Sequence, residues 1–121
     1  MKKSQQRVQA LRDSISELSP EQARTRQEDG ALLIDIREPE EVACGSPLGA
    51  RRIVRGFLEL RIEDVAPDED TELLLICGGG VRSLFAADDL ERMGYTNVHS
   101  VEGGFTKWTG SGLPAEVPGP S

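Results

Sequence analysis

The stretch ELLLICGGGVRS, residues 72–83, holds the densest chemistry in the chain. A mostly apolar run ends on Cys77, three glycines and Val81 follow, and Arg82-Ser83 opens an amphipathic segment. A buried strand that stops on a thiol and runs through glycines into a helix is the general recipe for an anion cradle. Main-chain N–H groups converge there, and the helix N-terminus adds positive potential. Gly78, Gly79 and Gly80 permit a backbone curl that side chains resist, and Ser83 is placed to cap the helix. Convergent donors and a neighbouring guanidinium favour thiolate over thiol, and Arg82 offers planar donors to an oxyanion. The segment predicts a nucleophilic Cys77 that can hold a negatively charged adduct, with Gly78, Gly79, Gly80, Val81 and Ser83 as the substrate-binding positions around it. The plainer alternative is a small core cysteine beside a turn. A turn, however, needs neither three glycines nor Arg-Ser at a helix start.

A strand must deliver the thiol and a helix must receive the loop. Glu72–Cys77 supplies the strand, and Ser83–Met93 the helix, with Leu84, Ala87 and Leu90 on one face and Gly94 as its stop. Upstream, Val8, Leu11, Ile15 and Leu18 recur at helical spacing and predict an amphipathic helix over 4–18. Ser19-Pro20-Glu21-Gln22 reads as a capping box that opens a helix ended by Gly30. Residues 31–36, ALLIDI, form a buried strand, Pro39 heads a short helix, and 50–54 form a weak strand. A helical connection over 56–65, a turn at 66–70, a strand at 97–101 and a short helix at 105–108 complete the series. Strands alternating with helices at these distances predict an α/β fold, a central parallel sheet with helices on both faces. In such sheets, sites form beyond the carboxyl ends of the strands, where Cys77 falls.

The chain of 121 residues suits one domain and carries a formal charge of −7. That balance argues against nucleic acid as a partner. The basic N-terminus has no apolar run behind it, which predicts neither a signal peptide nor a membrane anchor, and so a soluble, cytoplasmic protein. Two cysteines without a CxxC pair and a single histidine speak against a structural metal, and no cofactor is expected.

Three separated motifs, in order, resemble those of the single-domain rhodaneses, a sulfurtransferase family. LLIDIREPEEVACG is similar to LIDVREPxEFxxGH, CGGGVRS to CxxGxRS, and VEGGFTKWTGSGLPAE to EGGxxxWxxAGLPV. The resemblance covers about 19–116, leaving 1–18 as an N-terminal helical extension and 117–121 as a flexible tail. It implies the rhodanese fold and a thiosulfate or persulfide sulfurtransferase. Cys77 would become a persulfide, and a thiol or cyanide would take the sulfur. A small sulfur donor, a protein persulfide or a thioredoxin-like acceptor are the implied partners. Loop N–H groups from Gly78 to Ser83 would stabilise the persulfide, and Arg82 would steady the loop and help seat an anionic donor.

The chain also departs from the family pattern. Where the family has G-H-I-P-G-A, this chain has Gly45-Ser46-Pro47-Leu48-Gly49-Ala50, without the histidine, and Val42 replaces the usual aromatic. No lysine or second arginine lies beside Cys77, which favours an uncharged or protein-borne persulfide over the thiosulfate dianion. Cysteine phosphatases and arsenate reductases share the Cys–loop–Arg logic with five intervening residues, whereas four stand here. The shorter ring is a narrower cradle, better suited to one sulfur than to a tetrahedral phosphate. A third alternative is a non-catalytic binding module of the same fold.

Asp35, Arg37 and Glu41 read as one ion-pair network at a strand end, with Asp35 and Arg37 orienting the loop from behind. Cys44 reads as a small turn residue rather than a thiol that resolves oxidised Cys77. His99 reads as surface or satisfied core rather than as a base for Cys77, and Phe105 and Trp108 as packing residues.

Overall fold

The computed structural model describes residues 1–118. In chain order it contains α1 (Lys3–Ser14), β1 (Ser16–Leu18), α2 (Pro20–Glu28), β2 (Leu32–Asp35), α3 (Pro39–Val42), β3 (Ser46–Pro47) and β4 (Arg51–Arg52). A 3₁₀ turn at Arg55–Phe57 then leads to α4 (Leu58–Val65), β5 (Leu73–Ile76), α5 (Arg82–Arg92), β6 (Val98–Val101), α6 (Gly104–Gly110) and β7 (Ala115–Glu116). Five strands form a sheet in the order β1-β6-β5-β2-β4, every pairing parallel. The short strands β3 and β7 pair antiparallel beside it. This is the α/β architecture predicted from the alternation of elements, a parallel sheet with helices on both faces.

Strand parity divides the core. Leu73, Leu75 and Cys77 face one side of the sheet with Ile34, Ile36 and Val98, under α1, α4 and α5. Leu74 and Ile76 face the other with Leu33, Val101 and Trp108, under α2 and α6. Side chains on a pleated strand alternate between faces, so the run LLLI fills both cores and Cys77 continues the α5 side.

The first predicted helix is shorter than its spacing suggests. α1 ends at Ser14, and Ile15 is already extended at φ −92°, ψ 135°. Residues 16–18 form the edge strand, Ser16 in register with His99 and Leu18 with Val101. Ile15 packs in the α5-side core and Leu18 against the opposite one. A helix would place both on one stripe, whereas a strand three residues on puts them on opposite faces, and the second arrangement buries both. α1 itself packs on the domain: Leu11 is fully buried and Arg7 meets Asp88 of α5 at 2.9 Å.

The capping box at Ser19 forms as read. Its hydroxyl accepts from Gln22 N–H at 3.1 Å, and the Gln22 side chain accepts from Ser19 N–H at 2.9 Å. The weak strand expected over 50–54 contracts to Arg51–Arg52 at the sheet edge. Of the tail expected to be loose, residues 119–121 lie outside the described residues. No helix among the described residues is long and apolar enough to cross a membrane.

Candidate active site

Cys77 follows β5 at the carboxyl end of the sheet, and its Sγ turns in beneath the loop. It accepts hydrogen bonds from Gly80 N–H at 3.2 Å and Ser83 N–H at 3.4 Å. The Ser83 hydroxyl also lies 3.4 Å from the sulfur. The residue is only 1% exposed. Solvent meets the loop at Gly79 and Val81 instead. Of the ring expected from Gly78 to Ser83, two main-chain donors reach the sulfur among the described hydrogen bonds. The cradle is thus smaller than the sequence suggested.

Two features hold the loop in that shape. Gly80 has φ +90°, and a Cβ on it would fall 2.8 Å from Gly103 N, so the position combines left-handed backbone with contact against the α6 entry. The start of α6 then takes the carbonyls. Phe105 N–H donates to Cys77 C=O at 2.7 Å, and Thr106 N–H donates to Gly78 C=O at 3.2 Å. Gly104, at φ +59°, lets that helix lie directly on the Cys77–Gly78 backbone. With carbonyls engaged on one side, Gly80 and Ser83 N–H are left to face the sulfur. The EGG motif therefore builds the rear wall of the loop.

Ser83 does not cap α5 as expected. Val81 stands at the N-cap without a side-chain bond, because the Ser83 hydroxyl points inward to Ser100 Oγ at 2.7 Å and to the sulfur. Ser100, fully buried on β6, was missed by the sequence reading. Strand parity was the available signal. Ser100 pairs with Leu75, so it shares the face of Cys77, while His99 pairs with Leu74 and faces away. Proton counting within the hydroxyl pair is informative. If the thiol donates to Ser83 and Ser83 to Ser100, the Ser100 proton has no acceptor among the described hydrogen bonds. If the sulfur is an anion, Ser100 donates to Ser83 and Ser83 to sulfur, and every proton is used.

Arg82, at the start of α5, does not point at the sulfur as a free cation. Its two terminal nitrogens clasp the Glu41 carboxylate at 2.8 and 2.9 Å. The guanidinium crosses the first loop glycine, where a Cβ on Gly78 would stand 2.9 Å from Arg82 Nη2. These hydrogen bonds from Arg82 are the main cause holding the Glu41 carboxyl down at about 2, aided by the bond from Glu38 N–H. The same pair raises Arg82 above its ordinary value. The single network predicted for Asp35, Arg37 and Glu41 is therefore two. Glu41 serves the loop, and Asp35 with Arg37 forms a buried centre behind it.

In that centre Asp35 accepts from Arg37 Nε at 3.0 Å, Arg37 Nη2 at 2.9 Å, Arg37 N–H at 3.1 Å and Ser46 Oγ at 2.8 Å. Ser46 occupies the position of the motif histidine, and its hydroxyl fills the remaining need of the buried carboxylate. Arg37 also donates to Gly45 C=O at 2.6 Å and lies 4.1 Å over the Phe105 ring. Phe105 is the residue whose N–H holds the Cys77 carbonyl, so the centre touches the loop through it. His99 is satisfied elsewhere, by Ser16 at 2.6 Å, Glu72 at 3.0 Å and Asn97 at 3.1 Å. Trp108 is fully buried and donates to Pro114 C=O at 2.8 Å. Cys44 and Cys77 are both free thiols.

Known proteins share this fold. Residues 19–111 match the family model of the rhodanese-like domain. The thiosulfate sulfurtransferase GlpE of Pseudomonas aeruginosa (strain LESB58) is 35% identical over 111 residues, covering 88% of this chain and 94% of the relative. Among solved structures, a Rhodopseudomonas palustris protein of unknown function, described as a possible tyrosine phosphatase, superposes with a TM-score of 0.87 at 28% identity and covers 96% of both chains. The polysulfide-sulfur transferase homodimer of Wolinella succinogenes superposes with a TM-score of 0.80 at 29% identity, covering 91% of this chain and 84% of its own.

Proposed function

The chain belongs to the rhodanese-like family, and from that membership and the cysteine loop we propose that it is a sulfurtransferase acting through a Cys77 persulfide. The observation that carries this reading is the sulfur at a strand end, facing Gly80 N–H, Ser83 N–H and the Ser83 hydroxyl. Those donors suit a sulfur anion before transfer and a persulfide after it. In the first half-reaction the Cys77 thiolate attacks the outer sulfur of the donor. A new S–S bond forms, the donor's own bond to that sulfur breaks, and the donor remnant leaves with the electron pair: sulfite from thiosulfate, a thiolate from a persulfide. In the second, cyanide or an acceptor thiolate attacks the same outer sulfur, the S–S bond breaks, and Cys77 returns as thiolate. Two displacements at one residue give ping-pong kinetics.

Arg82 bears on donor choice. With its guanidinium committed to Glu41 and no other cation on the loop, little positive charge is left for a dianion. A persulfide or polysulfide donor fits the loop better than thiosulfate, in line with the transfer named for the Wolinella relative. At equal concentration the persulfide is expected to react about tenfold faster, a difference of ~1.4 kcal/mol.

A phosphatase reading draws on the description of the Rhodopseudomonas relative. Four residues between Cys77 and Arg82, and a guanidinium already clasped by a carboxylate, fit poorly with gripping a tetrahedral phosphate. The deciding experiment pairs cyanide-dependent thiocyanate release from a persulfide or thiosulfate with hydrolysis of an aryl phosphate. Thiocyanate release abolished by Cys77→Ser, with no phosphate turnover, is expected. Aryl phosphate turnover that depends on Cys77, without thiocyanate release, would replace this reading.

A further inference from the structure

The chain contains eleven arginines. Eight make an ion pair: Arg7, Arg12, Arg24, Arg26, Arg37, Arg55, Arg82 and Arg92. Among the described residues, the three without a carboxylate partner are Arg51, Arg52 and Arg61, and all three line one groove of about 810 Å³. Among the described residues, none in the groove's lining is acidic. In a chain of charge −7 this clustering is the reverse of the surface average. Its body is apolar, with Val42 from α3, Val54 beyond β4, and Phe57, which is 50% exposed and carries the Arg61 guanidinium 5.2 Å from its ring centre.

The groove follows β4, the terminal strand of the sheet, whose outer edge has no strand partner among the described residues. Exposed edges attract extended chains, and charged side chains on them select which chain. Arg51 and Arg52 are consecutive strand residues, so their side chains leave on opposite faces. They are badly placed to converge on one small anion and well placed to flank a polypeptide laid along the edge. Arginine's planar fork matches carboxylates, and apolar contact around Phe57 supplies area between the charges. The rest of the surface, with its excess of acids, would repel the same partner, so local attraction also sets orientation.

We propose that this groove docks an extended acidic segment, with apolar residues between its carboxylates, of the protein that exchanges sulfur with Cys77. The sulfur-exchange clause rests on the function proposed above; the docking clause does not. The two sites share α3. Val42 lines the groove, while the adjacent Glu41 clasps Arg82 of the cysteine loop. A partner seated along β4 therefore lies against the element that closes the loop.

The test uses the full chain and a fluorescein-labelled octapeptide of alternating glutamate and valine, with a lysine–valine octapeptide as control, read by fluorescence anisotropy. The glutamate peptide is expected to bind and the lysine peptide to fail. R51E/R52E and R61E should each weaken binding by about tenfold or more, while thiocyanate release from a small persulfide stays within about twofold of wild type. Absent binding, or equal binding by the reversed-charge variants, overturns the proposal. Displacement of the peptide by inorganic phosphate at equal concentration would assign a small-anion site and also overturn it. A chain dimer dissolved by R51E/R52E would give the groove to a second copy, with the same consequence. Paired measurements on the wild type separate the two clauses. Peptide binding without sulfur transfer sinks the function and leaves the docking intact; sulfur transfer that Cys77→Ala abolishes, without peptide binding, does the reverse.

Discussion

Cys44 and Cys77 are the same side chain in two opposed settings. Cys44 stands exposed just past α3, and the one described hydrogen bond of its thiol is a 4.0 Å approach to Glu40 C=O, in which the thiol can only donate. Cys77 is buried, yet it receives two main-chain N–H groups and sits beside a hydroxyl. One site offers access without electrostatic support, and the other support with restricted access. The difference shows what the glycines do. They bring peptide dipoles to the sulfur without placing side chains beside it, in surroundings where such dipoles act strongly because water is scarce. If reactivity followed exposure, Cys44 would be the nucleophile; if it follows preorganised donors, Cys77 is.

Moving the donors breaks the contrast most sharply. Gly80→Ala forces a side chain onto a left-handed backbone and against Gly103 N. Loss of transfer by about a hundredfold is expected, with destabilisation of about 1–3 kcal/mol. Gly79→Ala meets nothing within 4 Å, and Gly79 is exposed, so it should retain activity within about twofold and melt as wild type does. Steady-state thiocyanate release and thermal denaturation of both variants check this pair. Equal damage at the two positions would refute the role given to the loop's shape.

The clasp between Glu41 and Arg82 ranks next. Glu41→Gln and Arg82→Ala should each lower transfer by about tenfold and, combined, cost little more than either alone. Both side chains are partly exposed, so the effect on stability should stay near ~0.2–1 kcal/mol. The pH dependence has a definite sign. Folding holds the Glu41 carboxyl at about 2, against an ordinary 4.5. The contribution of the clasp is therefore complete above 4.5 and fades as pH falls toward 2. Urea unfolding of wild type and Glu41→Gln across that range should show the two converging at low pH.

The smallest effect is expected at Ser100. Ser100→Ala leaves Ser83 without its neighbour and should slow persulfide formation by about threefold to tenfold. Ser100→Thr, which keeps the hydroxyl, should restore most of it. A single-turnover measurement of the first half-reaction distinguishes this from general loosening, since an effect of packing alone would not follow the hydroxyl.

Legibility in the sequence followed the range of each interaction. The cysteine loop, the capping box at Ser19 and the strands at 32–35 and 73–76 are written in consecutive residues, and the fold class follows from their alternation. The clasp joins residues 41 positions apart, and nothing local to Glu41 or Arg82 announces it. Proximity in the first motif instead suggested a shared network with Arg37. Ser83 looked like a cap because Ser at a helix start usually is one; the buried Ser100, 17 residues away, changes its direction. Ile15 and Leu18 satisfied helical spacing, and only the presence of two cores, one on each face of the sheet, turns that spacing into a strand. The partner strand of β3 lies at the far end of the chain, in β7.

The most direct measurement exposes the reduced protein to a small persulfide, removes excess donor, and locates any added sulfur by intact-mass analysis followed by peptide mapping without reductant. One added sulfur atom on Cys77 and none on Cys44, released on addition of cyanide, is the predicted result. An adduct confined to exposed Cys44, or no adduct at all, would contradict the claim that donors facing the buried thiol make it the carrier.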